Sequence, residues 1–250
     1  MKLYLYLLFT VCISTSVAQN KNQFYALDSQ MNQTVLDSSK YILWIHLKED
    51  SNWQWDYYRT WGPLVKSVSY ADHDGTILNG RSFFYTSIGN LDSTGNFDHG
   101  KKNGGFTKFR SYSADSIIRI RHYSYLQDSL EKFSDLSADS NKKKETDSAK
   151  KTFAEYPGGV SNWYEYLKLH LQYPERAMKK NIQGTVRVNF TIGVDGDVTD
   201  IFLQKSIEYS IDQEAIKVIR DSGKWTPGTL DGIKVKTYEL EPLRFGLSPQ

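Results

Sequence analysis

The sequence predicts an α+β protein, with a C-terminal module of short helices and antiparallel strands preceded by a β-rich antiparallel meander. Three observations carry this prediction. Trp163, Tyr166, Leu167 and Leu171 recur at the spacing of one helix face. Val186, Val188, Phe190 and Ile192 alternate with polar residues just ahead of Asp195-Gly196, a strong hairpin dipeptide. Between about residues 64 and 125, short aromatic strands are punctuated by Gly, as in a succession of hairpins.

The chain of 250 residues divides into four parts. Residues 1–18 read as a secretory signal peptide: a basic start, an apolar run of about ten residues, and small residues at Ser16 and Ala18. Cleavage after Ala18 removes Cys12, the single Cys, and leaves a chain without thiol chemistry. The alternative is an uncleaved anchor, for which the apolar run is shorter than the roughly 18 residues of a spanning helix. Residues 19–133 form the β-rich region. Asn20 to Lys40 reads as a loop, an irregular lead-in or a weak first strand. Tyr41 to Leu47 is an apolar run of strand length, and Trp53 and Trp55 alternate. Val65 to Tyr70, a turn at Asp74-Gly75, and Gly80 to Tyr85 follow. Gly95 and Gly100 read as turn residues, and Ile117 to Tyr125 as the closing strand. The run Gly95-Asn96-Phe97-Asp98-His99-Gly100, with Gly104 and Phe106, resembles a degenerate MORN-type repeat. Residues 134–152 are rich in Ser, Asp and Lys and poor in large apolar residues, so they read as a flexible linker.

Residues 153–250 form the C-terminal module. Tyr156-Pro157-Gly158-Gly159 is a turn signal. A helix follows over Ser161 to Leu171, with Ser161 as its cap. Pro174 to Lys180 reads as a second short helix, its Pro in the first turn, its acid early and its lysines late. Strands Gly184 to Ile192 and Val198 to Leu203 flank the Asp195-Gly196 turn. Asp212 to Ser222 resumes helical spacing, Trp225-Thr226-Pro227-Gly228 stops it, and Ile233 to Leu240 alternates as a last strand.

These residues resemble the C-terminal domain of TonB. The likeness rests on the Tyr-Pro-Gly-Gly opening, Tyr173-Pro174-Glu175-Arg176-Ala177, Gln183-Gly184-Thr185-Val186, Val194-Asp195-Gly196, Asp212-Gln213-Glu214-Ala215 and Trp225-Thr226-Pro227-Gly228. The resemblance implies a small antiparallel sheet with helices on one face and a free edge along the last strand. In that family a short peptide of an outer-membrane receptor adds to this edge. The matching edge here is Lys234, Val235, Lys236, Thr237, Tyr238, Glu239 and Leu240. Peptidoglycan is the other partner that the resemblance suggests, and a homodimer is a further possibility. The chain departs from a transducer in having six Pro, none of them in its linker, and a cleavable N-terminus. It therefore reads as a periplasmic binding protein, with an inner-membrane-anchored energy transducer as the alternative.

The rest of the composition excludes more than it suggests. A net charge of +2 without a basic stripe argues against nucleic acid. Five His residues lack zinc-ligand spacing, Gly-x-Ser-x-Gly and the P-loop are absent, and no cofactor or metal is expected. Asp72-His73-Asp74-Gly75 and Asp195-Gly196-Asp197 are fragments of a calcium loop that lack its closing Glu, and read as turns. Asp72, Asp74, Asp92 and Asp98 are the carboxylates from which an acid–base pair could be drawn, yet Asp is expected in such turns. Binding, not catalysis, is the expectation.

Overall fold

The computed structural model describes residues 22–113, 116–135 and 150–247. The predicted signal peptide and most of the predicted linker lie outside the described residues.

The N-terminal half is a 10-stranded antiparallel sheet. Its strands are β1 (Asn22–Leu27), β2 (Tyr41–Leu47), β3 (Trp53–Arg59), β4 (Leu64–Tyr70), β5 (Gly80–Tyr85), β6 (Leu91–Asp98), β7 (Lys101–Lys102), β8 (Gly104–Ser113), β9 (Ser116–Leu126) and β10 (Ser129–Asp135). They pair in chain order, with the short β7 beside β6. Alternation sorts β2 and β3 between two faces. Leu43, Ile45 and Trp53 join Leu27 in a small apolar cluster on one face. Tyr58, on the other face, and Leu64 belong to the main core together with the C-terminal module.

Two turns differ from expectation. Gly95 is not a turn residue: it lies inside β6, opposite Ser82. The ring of Phe106 covers it so closely that a Cβ would lie 2.1 Å from Cε1. Its conservation of space, not a turn, is what this glycine supplies. Nor does Ile117 to Tyr125 close the sheet. Gln127 and Asp128 both have positive φ (47° and 72°) and turn the chain into β10. The backbone of Asp128 donates to the Lys102 carbonyl, and its carboxylate accepts from the Lys102 N–H. The side chain thus supports a left-handed turn without Gly.

The C-terminal half begins with β11 (Lys151–Thr152), α1 (Gly159–His170) and α2 (Glu175–Met178). The strands β12 (Gly184–Ile192) and β13 (Val198–Lys205), the helix α3 (Tyr209–Arg220), the short strands β14 (Thr229–Leu230) and β15 (Ile233–Lys234), and β16 (Thr237–Phe245) complete it. Ser161 is not the cap of α1, which starts two residues earlier. Gly158 takes the capping position in a left-handed conformation (φ 80°), with no side-chain cap. Lacking a Cβ there, it leaves room for Asn162, whose amide donates to the Pro157 carbonyl.

β12 is the middle strand of a three-stranded antiparallel sheet ordered β13-β12-β16. Val186, Val188, Phe190 and Ile192 are fully buried, as the alternation predicts. They pack with Ile211, Ala215, Val218 and Ile219 of α3 and with Trp163 of α1 in one cluster. Tyr156, Trp163, Tyr166, Trp225 and Phe190 make stacked, tilted and edge-on ring contacts 5.1–5.6 Å apart, a geometry that adds to the gain from burial.

The two halves share this core. Tyr209, the first residue of α3, makes edge-on contacts with Phe24, Trp44 and Tyr58 of the meander. Burial pushes its phenol up to about 12. Beside it, the Ser206 hydroxyl accepts from the Leu64 N–H at 2.7 Å and donates to Asp212. Arg176 donates to Glu208 and to the Thr60 carbonyl, both at 2.6 Å, with its guanidinium 4.0 Å over Trp61.

Candidate functional site

A three-stranded sheet has two edges, and an unpaired edge is a template for another strand. Here the two edges are treated differently. The β13 edge is covered by the meander at its C-terminal end, from Phe202 to Ser206. Lys205 bridges to Asn90, the Ser206 N–H donates to the Gly89 carbonyl at 2.9 Å, and the Lys205 ammonium donates to the Ile88 carbonyl. The Tyr85 hydroxyl donates to the Leu203 carbonyl at 3.0 Å, and Phe83 stacks on Phe202 with Arg81 over both rings. Gly89 makes the approach possible. Its φ is +82°, and a Cβ there would lie 2.2 Å from the Ser206 carbonyl oxygen.

The β16 edge is open. β16 pairs with β12 along its whole length, from Thr237 opposite Ile192 to Phe245 opposite Gly184. Among the described residues no strand pairs with its other side. Pro242, opposite Arg187, has no N–H to give to β12. A ladder position without a donor suits the outward-pointing register of an edge strand. Alternation then turns the backbone groups of Leu240 and Tyr238 outward as well. Outward donors are therefore available at Tyr238 and Leu240, are missing at Pro242 and resume at Arg244.

The two faces of this edge differ. Tyr238 and Leu240 project from one face, and Tyr238 is 77% exposed. Lys236 lies next to this face, paired with Asp200 at 3.2 Å and over the Tyr238 ring. Glu239 and Glu241 stand on the other face, opposite Phe190 and Val188. Partial burial raises both carboxyls above the usual range, and Glu239 adds like-charge repulsion at Glu241.

The seven predicted edge residues are not one strand. Lys234 belongs to β15, Val235 and Lys236 form a connection, and only Thr237 to Leu240 lie in β16. Asp231 and Gly232 both have positive φ and fold Ile233–Lys234 back onto Thr229–Leu230. Val235 is then held by its N–H to the Gly228 carbonyl. This Asp-Gly pair is the same hairpin signal as Asp195-Gly196 and was there to be read. The alternation reading also missed Glu241 to Phe245, because Pro242 masks a strand that continues past it.

The other singled-out residues have local partners. Trp225 is buried, and its indole donates to Ser222 at 3.0 Å. The Tyr166 hydroxyl donates to the Val218 carbonyl. Asp72 accepts from the N–H groups of Thr76 and Ile77, Asp74 pairs with His73, Asp92 with Lys108, and Asp98 with His99. Each of the four carboxylates is thus tied to a different neighbour. Asp195 accepts from the Asp197 N–H in its turn. No group of three metal-ligating side chains occurs among the described residues.

Residues 169–247 match the family model of the Gram-negative bacterial TonB protein C-terminal. No curated protein matches the chain. Among solved structures, the chain is similar to the solution structure of the Helicobacter pylori TonB C-terminal domain, with 26% identity over 38% of this chain and 91% of that one, at a TM-score of 0.28. The family match covers β12, β13, α3 and β16, the elements that build the open edge, and residues 169–247 form a domain of the TonB C-terminal family.

Proposed function

We propose that β16 accepts an extended peptide as an additional antiparallel strand, and that the chain serves TonB-dependent transport at the cell envelope as a binding protein. The peptide would be a segment of an outer-membrane receptor. The observation that carries this reading is the asymmetry of the C-terminal sheet. One edge is covered at its Phe202–Ser206 end by the chain's own meander, while the other offers outward backbone groups at Tyr238 and Leu240. Strand addition draws affinity from main-chain hydrogen bonds and selectivity from alternate side chains. Tyr238 and Leu240 supply the apolar face for that selection. Peptidoglycan is the alternative partner, and it would not require the backbone edge.

Hydrogen exchange on the full chain tests the proposal. With a receptor-derived extended peptide added, the amides of Tyr238 and Leu240 should slow, while those of β13 stay as they were. Protection elsewhere, or none, would remove β16 from the binding site. Localisation is a separate proposal: a periplasmic protein freed by cleavage after Ala18. No helix among the described residues is long and apolar enough to cross a membrane. Intact mass of protein isolated from the envelope distinguishes a chain starting at Gln19 from one that keeps Met1 as an anchored energy transducer.

A further inference from the structure

Glu239 and Glu241 point to the sequence of the strand that β16 would take. They stand two residues apart on one face of the open edge strand, opposite Phe190 and Val188. Each is half-buried, and neither forms an ion pair among the described residues. The groups around them do not neutralise them. The Trp163 indole N–H faces Glu241 and the Thr237 hydroxyl faces Glu239; each lowers the carboxyl it faces without outweighing its burial, and neither reaches full hydrogen-bond geometry. Both of these residues are themselves more than nine-tenths buried. Lys151 of β11 lies near Glu239 only at electrostatic range. The site thus holds two half-buried carboxylates with no ion-pair partner in contact among the described residues, on a backbone edge lacking a strand.

We infer, resting on the reading of β16 as a peptide-binding edge, that the incoming strand carries basic side chains at two alternate positions facing Glu239 and Glu241, with apolar side chains between them on the Tyr238 and Leu240 face. Directly opposed residues of antiparallel strands lie on the same face within contact distance. A Lys or Arg there meets a partly desolvated carboxylate, where a charge pair is stronger than on an open surface. The same geometry disfavours a second copy as occupant. Two β16 strands paired about Leu240 would set Glu239 opposite the Glu241 of the other copy, and opposed like charges destabilise a strand pair.

The test uses the full chain and three synthetic extended peptides, identical except for Lys, Ala or Glu at the two alternate positions, with affinities measured by titration. The Lys peptide should bind about tenfold more tightly than the Ala peptide, and the Glu peptide more weakly than either. In the double variant Glu239→Gln and Glu241→Gln the three affinities should converge on that of the Ala peptide. Equal binding of all three to the unmodified chain would overturn the charge inference and leave the edge reading intact. No binding of any peptide would overturn both. An affinity for the Lys peptide that is undiminished in Leu240→Pro, which removes an outward N–H, would place the peptide elsewhere and also overturn the inference.

Discussion

Single residues set the energetics where the two halves meet. Asp212 is fully buried, accepting from the Ser206 hydroxyl and the Ile207 N–H. Burial outweighs these hydrogen bonds and raises its carboxyl to about 7. The folded state therefore holds a proton that the unfolded chain releases near its ordinary value of 3.8. Between about pH 4 and pH 7 the native chain binds more protons, so this group's contribution makes stability fall as pH rises, by up to roughly 1.4 kcal/mol per pH unit. Denaturant midpoints across this range should show the fall, and Asp212→Asn should flatten it; an unchanged slope would rule Asp212 out as its source. Gly89 gives a second residue-scale test. Gly89→Ala drives a Cβ into the Ser206 carbonyl at a positive φ and should cost about 1–3 kcal/mol in thermal unfolding. None of this was legible in the sequence, where Gly89 is one turn glycine among several and Asp212 a helix-start acid. The distance between Gly89 and Ser206 along the chain hides their contact.

At the scale of the element, β16 is a strand with two unequal sides. Leu240→Pro should leave the ladder to β12 intact, because the N–H at that position faces outward. Glu239→Pro removes an inward N–H and should destabilise the domain by about 3 kcal/mol. Thermal melts of the two variants distinguish the sides directly, and equal losses would show that the register read from Pro242 is wrong. Peptide affinity should fall roughly fivefold to tenfold in Leu240→Pro, the worth of one hydrogen bond of about 1–1.5 kcal/mol. Much at this scale was legible beforehand. The alternation at Val186 to Ile192 marks β12 from end to end, because a buried face enforces period two. The last strand was harder. Its early residues alternate through a hairpin that pairs elsewhere, so Ile233 to Leu240 imitates one continuous strand. Half-buried Glu239 and Glu241 on the core side also break the usual rule that inward positions are apolar.

At the scale of the molecule, the composition shift near residues 134–152 suggests two separable parts, and the structure joins them. Tyr58 and Leu64 of the meander lie in the same buried cluster as Val188 and Ile219. A fragment restricted to residues 153–250 would lose these contacts and uncover the β13 edge. It should melt at a lower temperature than the full chain and self-associate in light scattering. A monomeric fragment of undiminished stability would show that the shared core is dispensable. Sequence reading could not see this, since long-range packing leaves no local period. The covered end of β13 has a further consequence for stoichiometry. A chain whose sheet is free on both sides can join copies head to tail without end. Here the meander covers the β13 edge from Phe202 to Ser206. Two copies joined through β16 would turn these covered ends outward, so self-association through this sheet is directed to a closed pair and away from open fibres.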